Sequence, residues 1–362
     1  MTGTLFNESL VFTGGGTGGH FFPAVALAEG ARARWGRPVA FVGAQRGIEA
    51  RLLPPSGWPH LLLDVEGFVG RSPLQAARAA WKLLQARRTL VRIWRRHRPW
   101  AVVGTGGYGA GPALLAARAL GLPYFIHESN ACPGLLVKVL AKGAAGVWCG
   151  MEEGGQSLPG ARCVLAGTPV REAFLRPFQP PAALRPPYRI LVLGGSGGAR
   201  ALNEAVFAAA PGLLERFPDW DLLHQTGQAA FQELGTRERH PRHRLAPFLE
   251  FMDRQLEAAS LVVTRAGAST CAELKASGRP AVMVPMPGSA GDHQVSNARA
   301  MAGEGRARVV LQGPGLELRL GEEAARLMGD AGLLEALARA EPNRAVDICL
   351  DDLASRMEIR LH

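Results

Sequence analysis

The sequence predicts an α/β protein built from two doubly wound, Rossmann-like parallel-sheet domains. Three observations predict it. Short apolar runs with β character alternate with longer helical stretches rich in alanine, leucine and arginine. The alternation runs through once, halts at a proline-rich segment and starts again. Each series opens on a strand, a glycine loop and a helix: "LVFTGGGTGGH" and "LVLGGSGGARALN". Strand, helix and strand in series favour parallel sheets covered on both faces. At 362 residues the chain exceeds one ordinary core and suits about two domains.

The first series reads as buried strands at 9–13, 38–43, 60–65, 101–105, 123–127 and 146–150. The second reads as strands at 189–195, 220–227, 243–248, 261–267 and 281–285. Between them "RPFQPPAALRPPYR", residues 176–189, holds five prolines, a linker signature. We therefore expect a first domain over 1–175, the linker over 176–189 and a second domain over 190–340. The closing segment, 341–362, is expected to be helical.

Composition excludes several classes. The chain is 47% hydrophobic and 20% charged, and its Gly 45 and Pro 26 fall between apolar runs as punctuation. No apolar run approaches the ~18 residues of a membrane span, and "MTGTLFNESL" lacks the pattern of a signal peptide. Five cysteines are scattered without C-x-x-C spacing, so neither a disulfide framework nor zinc is expected. A net charge of +10 points to a polyanionic partner.

A glycine loop entering a helix exposes backbone N–H groups at the positive end of the helix dipole, which suits phosphate. Gly14, Gly16 and Gly19 match the dinucleotide pattern G-x-G-x-x-G. That pattern also wants an acid about 20 residues on, where this chain has Gly43, Ala44 and Gln45. No P-loop pattern occurs. Further glycine loops follow at 104–112, 194–200 and 265–270. Ligands gather at the carboxyl ends of strands in open α/β sheets, so loops from both halves are expected to face a common cleft.

The blocks "GGTGGH", "GTGGYGAGP", "HESNACPG", "GTPVR", "GGSGGARALN", "HQTG", "TRAGASTCAEL", "GRPAVMVP" and "DHQVSNA" run in order along nearly the whole chain. Through them the sequence resembles the MurG family of bacterial peptidoglycan glycosyltransferases, which have the GT-B architecture. The resemblance implies transfer of N-acetylglucosamine (GlcNAc) from UDP-GlcNAc to lipid I, giving lipid II. The site would be the cytoplasmic face of the bacterial inner membrane, with the protein bound peripherally. It implies UDP-GlcNAc, lipid I, an anionic membrane surface and other cell-wall synthesis proteins as partners, and no nucleic acid. No cofactor or bound metal is expected, UDP-GlcNAc being a substrate. "DWD", 219–221, looks like the metal signature of other sugar transferases, but it starts a predicted strand, away from the ligand end. In the GT-B architecture the closing segment can cross back to the first domain.

The resemblance also implies residue roles. Glu273 would accept two hydrogen bonds from the ribose hydroxyls, as a carboxylate can. An acid favoured by the helix N-terminus explains Glu273 equally well. Ala268 and Ser269 would present N–H groups, Ser196 would meet the diphosphate, and Arg171 the nucleotide end. Phe248, Leu249 and Met252 match the uracil segment, though core packing would explain them too. His293 and Gln294 would bind the sugar. Thr17, Gly18, Gly19 and Asn130 complete the UDP-GlcNAc set. Gly15, Gly16, Gly106, Gly107, Tyr108 and Asn130 would line the acceptor. The reaction needs a base for the acceptor hydroxyl. His20 and Glu128 are the two choices, and His20 could instead only orient a substrate.

The stretch 71–99 holds nine basic residues and no acid. Leu74, Trp81, Lys82, Arg87 and Arg88 are expected to face an anionic membrane, and Phe21 and Phe22 to extend the apolar surface. Ordinary solvated arginines would explain the stretch equally. Four positions depart from the family pattern: Ser129, Thr168, Gly197 and His293. Alternative functions are a lipid galactosyltransferase, a nucleotide-sugar-binding module without catalysis, and a dehydrogenase.

Overall fold

The computed structural model describes residues 4–67, 72–175, 186–195, 198–288 and 292–358. The chain divides into two compact units, Met1–Glu172 with Asn343–His362, and Ala173–Pro342.

Among the described residues the first unit carries a seven-stranded sheet. Its strands are β1 Leu10–Thr13, β2 Val39–Ala44, β3 His60–Leu63, β4 Ala101–Gly104, β5 Tyr124–Glu128, β6 Gly146–Cys149 and β7 Cys163–Leu165. They pair in parallel in the order β3-β2-β1-β4-β5-β6-β7. β1, β2, β4, β5 and β6 are buried at every position, as a sheet covered on both faces requires. Val11, Val42, Val102 and Ile126 share a core with Leu90 and Trp94 of helix Pro73–Trp94.

Strand order reverses between β1 and β4, so the loops leaving their carboxyl ends lie side by side at a topological switch point. The C-terminal helix Ala345–Arg356 belongs to this same unit. Gly30 of helix Gly18–Trp35 leaves room for it: a Cβ there would come within 2.5 Å of Val346. Asp352 accepts from Trp148 Nε1 (2.8 Å) and Arg356 Nε (2.8 Å), and Asp351 pairs with Arg34.

The second unit repeats the plan. Its strands are β8 Tyr188–Leu193, β9 Trp220–Gln225, β10 His243–Ala246, β11 Leu261–Thr264, β12 Ala281–Met283 and β13 Ala307–Val309. They pair in parallel in the order β10-β9-β8-β11-β12-β13, with the reversal between β8 and β11. Two edge strands, β7 and β13, were not among those read from the sequence. β8 begins at Tyr188, so the last two residues of the proline-rich stretch are sheet; residues 176–185 lie outside the described residues. Asp221 of the "DWD" stretch sits at the amino end of β9, held by Arg189 (2.7 Å) and Arg244 (3.0 Å).

Behind the glycine loop of this unit runs a buried polar chain. Asn203 Nδ2 donates to the Thr226 carbonyl (2.8 Å), and its Oδ1 lies 3.1 Å from His224 Nε2. An amide oxygen only accepts, so His224 donates from Nε2 and accepts at Nδ1 from His243 Nε2 (3.3 Å). Both nitrogens of His224 are thereby paired with the two rings neutral. Burial, with the neighbouring ring, lowers His224 to about 3; burial, with Arg239, lowers His243 to about 4. The folded values lie below the unfolded one, near 6.5. Their contribution is therefore fully present above about pH 6.5 and is lost as pH falls towards 4 and 3. The unfolding free energy from urea titration is expected to fall from pH 7 to pH 5, by up to about 1.4 kcal/mol per pH unit for each histidine. His224→Gln should flatten that slope; the same slope in parent and variant would contradict the assignment.

Candidate active site

In the first unit two glycine loops close around His20. The loop after β1 runs into helix Gly18–Trp35, with Thr17 at the N-cap in extended backbone and making no side-chain cap. The loop after β4 begins at Thr105. The N–H of Gly15 reaches the Gly106 carbonyl (3.4 Å). Gly106 and Gly107 have φ of +96° and +73°, a region that disfavours other residues. Space forbids a side chain as well: a Cβ on Gly106 would lie 2.7 Å from His20 Nδ1, and one on Gly107 2.0 Å from the Gly15 carbonyl oxygen. The Tyr108 ring packs onto Gly16, where a Cβ would meet it at 2.4 Å.

His20 itself is half-buried. Its Nδ1 lies 3.1 Å from the Thr105 carbonyl oxygen, and Thr105 Oγ1 donates back to the His20 carbonyl (2.6 Å). A carbonyl can only accept, so Nδ1 carries the hydrogen and the neutral ring keeps its lone pair on Nε2. Thr105 thus fixes the tautomer that a base needs. Behind it His127 is buried, donating from Nε2 to the Gly167 carbonyl (2.9 Å). Its pKa is lowered, chiefly by burial.

Glu128, at the end of β5, is also buried. Oε1 accepts from Asn130 N (3.0 Å) and Asn130 Nδ2 (2.9 Å), and Oε2 from Gly134 N (3.1 Å). Three donors from the following loop occupy this carboxylate, and it holds Asn130 in place. Two family departures meet nearby. Ser129 and Thr168 are buried against Gly150, whose Cβ would lie 2.9 Å from Ser129 Cα and 3.0 Å from Thr168 Oγ1. These two substitutions are therefore a packing matter. Arg171 lies 4.3 Å above the Phe22 ring. Phe21 is buried in the core and cannot extend a membrane-facing surface, which corrects that expectation.

In the second unit the switch-point loops follow β8 and β11. Ser196 and Gly197 lie outside the described residues. Gln225, at the end of β9, donates Nε2 to the Gly195 carbonyl (3.3 Å) and accepts from Leu249 N (3.0 Å). It ties the glycine loop to the segment that holds Leu249 and Met252. After β11, the Ala266 carbonyl accepts from buried Asn297 (3.0 Å), and Thr264 Oγ1 donates to the Leu193 carbonyl (3.2 Å). Helix Ala268–Ser277 then starts behind Gly267, which has no side chain to cap it. Ala268 and Ser269 occupy its first turn, and Glu273, half-buried, the second. His293 opens helix His293–Gly303, and Gln294 Oε1 accepts from Met286 N (3.0 Å).

Sequence reasoning missed Glu49, Thr105, Gln225, Asn203 and Asn297. Thr105, Asn203, Gln225 and Asn297 lie inside the recognised blocks "GTGGYGAGP", "GGSGGARALN", "HQTG" and "DHQVSNA", which was the available signal; Glu49 lies in none of them.

Helix Pro73–Trp94 starts with a capping box between Ser72 and Gln75. Leu74, Trp81 and Leu84 are 82%, 60% and 46% exposed, and with exposed Arg88 they share one helical face. Leu135 and Val139 of helix Leu135–Leu140 add exposed apolar surface. Leu83 and Leu136 of the two helices both approach Gly111, within 3.0 and 3.5 Å of its would-be Cβ. Lys82 does not belong to this surface. It is buried, with Nζ 2.5 Å from Glu66 and 2.9 Å from Asp64. Acids just outside the basic stretch neutralise it. Arg87 is half-buried.

Among the described residues, no group of three or more His, Cys, Asp or Glu side chains could hold a metal ion, and no helix is long and apolar enough to cross a membrane.

Comparison with known proteins fits both units. Residues 10–148 match the glycosyltransferase family 28 N-terminal domain and residues 189–346 its C-terminal domain. A curated relative from Geotalea daltonii is 36% identical over 359 residues, 96% of this chain and 98% of its own. One from Syntrophotalea carbinolica is 41% identical over 307 residues, 84% of this chain and 85% of its own. Both are named UDP-N-acetylglucosamine–N-acetylmuramyl-(pentapeptide) pyrophosphoryl-undecaprenol N-acetylglucosamine transferase. The crystal structure of Acinetobacter baumannii MurG superposes with a TM-score of 0.66 at 32% identity, covering 95% of this chain and 99% of that one. The two-sheet architecture is that of GT-B glycosyltransferases, and the chain belongs to glycosyltransferase family 28 and, within it, to the MurG family.

Proposed function

We propose that this chain transfers GlcNAc from UDP-GlcNAc to the 4-hydroxyl of the MurNAc residue of lipid I, forming lipid II. The observation that carries this reading is 36% identity, over 96% of the chain, with a transferase of that name. The step is a single inverting displacement. The acceptor oxygen bonds to the anomeric carbon as the bond from that carbon to the UDP phosphate oxygen breaks, and UDP leaves with the electron pair.

The acceptor proton goes to His20 Nε2, the acceptor atom left by the Nδ1–Thr105 hydrogen bond. Glu128 is assigned a positioning role, because its oxygens already take three hydrogen bonds and Asn130 depends on them. Gly15, Gly106, Gly107 and Tyr108 shape the acceptor wall, with Gly16 beneath the Tyr108 ring. Glu273 takes the ribose, Leu249 and Met252 flank the uracil, and Gln294 and His293 take the sugar. Arg171, Ser196, Thr17, Gly18 and Gly19 serve the nucleotide and diphosphate, with the N–H groups of Ala268 and Ser269. Helix N-termini and arginine offset the charge that develops on the leaving diphosphate. A galactosyltransferase is separated by donor competition: excess UDP-galactose should leave GlcNAc transfer nearly unchanged, and equal use of both sugars would overturn the assignment.

The exposed Leu74, Trp81, Leu84, Leu135 and Val139 with Arg88 form the surface that meets the anionic cytoplasmic leaflet, where the lipid acceptor lies. Binding to anionic vesicles should weaken as salt rises, and Trp81→Ala should weaken it further. Equal binding to neutral vesicles would contradict this surface. Lys82→Ala should instead destabilise the fold, since it removes the buried ammonium 2.5 Å from buried Glu66, to which exposed Arg46 is a longer ion pair (3.3 Å).

A further inference from the structure

We propose that Glu49 is a positioning residue for the transfer reaction, a buried carboxylate that sets the first glycine loop and, through it, His20. The inference rests on the assignment of His20 as the base.

Glu49 begins helix Glu49–Ser56 and is fully buried. Its Oε1 accepts from Ala44 N at the end of β2 (2.9 Å). Both oxygens accept from Gly16 N, at 3.1 and 2.9 Å. Among the described residues no cation pairs with it. A carboxylate buried without a cation is costly unless hydrogen bonds replace its lost water, and here backbone N–H groups do so.

The surroundings are shaped to admit it. A Cβ on Gly15 would lie 2.1 Å from Oε1, one on Gly47 2.1 Å from Oε2, one on Gly43 2.6 Å from Cγ and one on Gly109 3.0 Å from Oε1. Gly43 of β2 and glycines from three loops, those after β1, β2 and β4, thus close on one carboxylate. Packing alone would be met by an apolar side chain of similar size. A polar side chain is needed because the Gly16 and Ala44 N–H groups are directed at Glu49 and must be accepted there. Gly16 has φ of +87° and lies beneath the Tyr108 ring. The same loop carries Gly15, whose carbonyl is in contact with Gly107, beside the His20 ring. A shift at Gly16 is therefore passed to both walls of His20. This narrows the anion-site reading of the loop. The N–H groups of Gly15 and Gly16 are spent internally, which leaves that role to the start of helix Gly18–Trp35.

The test is Glu49→Gln. An amide keeps the size but opposes one N–H with another. Acceptor-saturated turnover should fall at least tenfold, while UDP-GlcNAc affinity, to which this unit adds only Thr17, Gly18, Gly19 and Arg171, falls by much less. The decisive readout is a double-mutant cycle. In a His20→Ala background Glu49→Gln should cost less than twofold, because the group it positions is gone. Equal loss in both backgrounds, or unchanged turnover of folded Glu49→Gln protein, would overturn the proposal. If Glu49→Gln fails to fold, Gly47→Ala presses on the same carboxylate without removing it and is put through the same cycle. Parent protein with no transfer activity at all would refute the functional assignment instead.

Discussion

His20→Ala is expected to lower turnover by ~10²- to 10⁴-fold, the usual worth of a positioned base, with UDP-GlcNAc affinity nearly unchanged. The direction follows from geometry. His20 stands between the loops after β1 and β4, with Nδ1 committed to the Thr105 carbonyl. Removing the ring deletes the Nε2 acceptor and leaves untouched the second unit, where we place most of the UDP-GlcNAc contacts. A base acts only in the chemical step, so the loss belongs in turnover and not in ground-state binding. Glu128 offers the contrast. Glu128→Gln keeps an oxygen for Asn130 N and Nδ2 and loses the acceptor for Gly134 N. Its loss should be milder than that of His20→Ala. Steady-state and single-turnover rates decide it: near-normal turnover in His20→Ala, with a collapse in Glu128→Gln, would exchange the two roles.

Glu273→Gln is expected to raise the KM for UDP-GlcNAc by about 10- to 100-fold, with turnover at saturation changing little. Magnitude separates this role from the structural alternative. Hydrogen bonds to a charged carboxylate contribute about 1.5–3 kcal/mol, which is the predicted loss of affinity. An acid that merely complements the helix N-terminus is worth about 0.3–1 kcal/mol, and its removal would appear in melting temperature. Glu273 lies in the second turn of helix Ala268–Ser277, behind an uncapped Gly267. Titration calorimetry with UDP-GlcNAc and a thermal melt on the same variant read both quantities. A lowered melting temperature with unchanged affinity would assign Glu273 to the helix alone.

The central strands were legible in sequence because strands buried on both faces must be apolar throughout. β7 and β13 were not. Each has three residues, and Cys163 and Leu165 of β7 are exposed on a sheet edge. The glycine loops were legible because a tight approach leaves only glycine. What they approach was not. Gly15 and Gly16 looked like a phosphate cradle, yet Glu49, 33 residues on from Gly16, fills the space behind them. Nothing local marks that acid. Gln225 was hidden likewise, since its partners Gly195 and Leu249 come from loops after different strands. Lys82 was misplaced because its helix was read without the preceding loop, where Asp64 and Glu66 wait.

The acceptor sets this transfer apart from every other use of UDP-GlcNAc. The deciding measurement is UDP release from UDP-GlcNAc with and without a lipid I analogue, alongside identification of the glycan product. Release should be slow alone, rise sharply with the analogue, and yield a β-linked GlcNAc–MurNAc disaccharide. Release that ignores the analogue, or an α-linked product, would contradict the assignment.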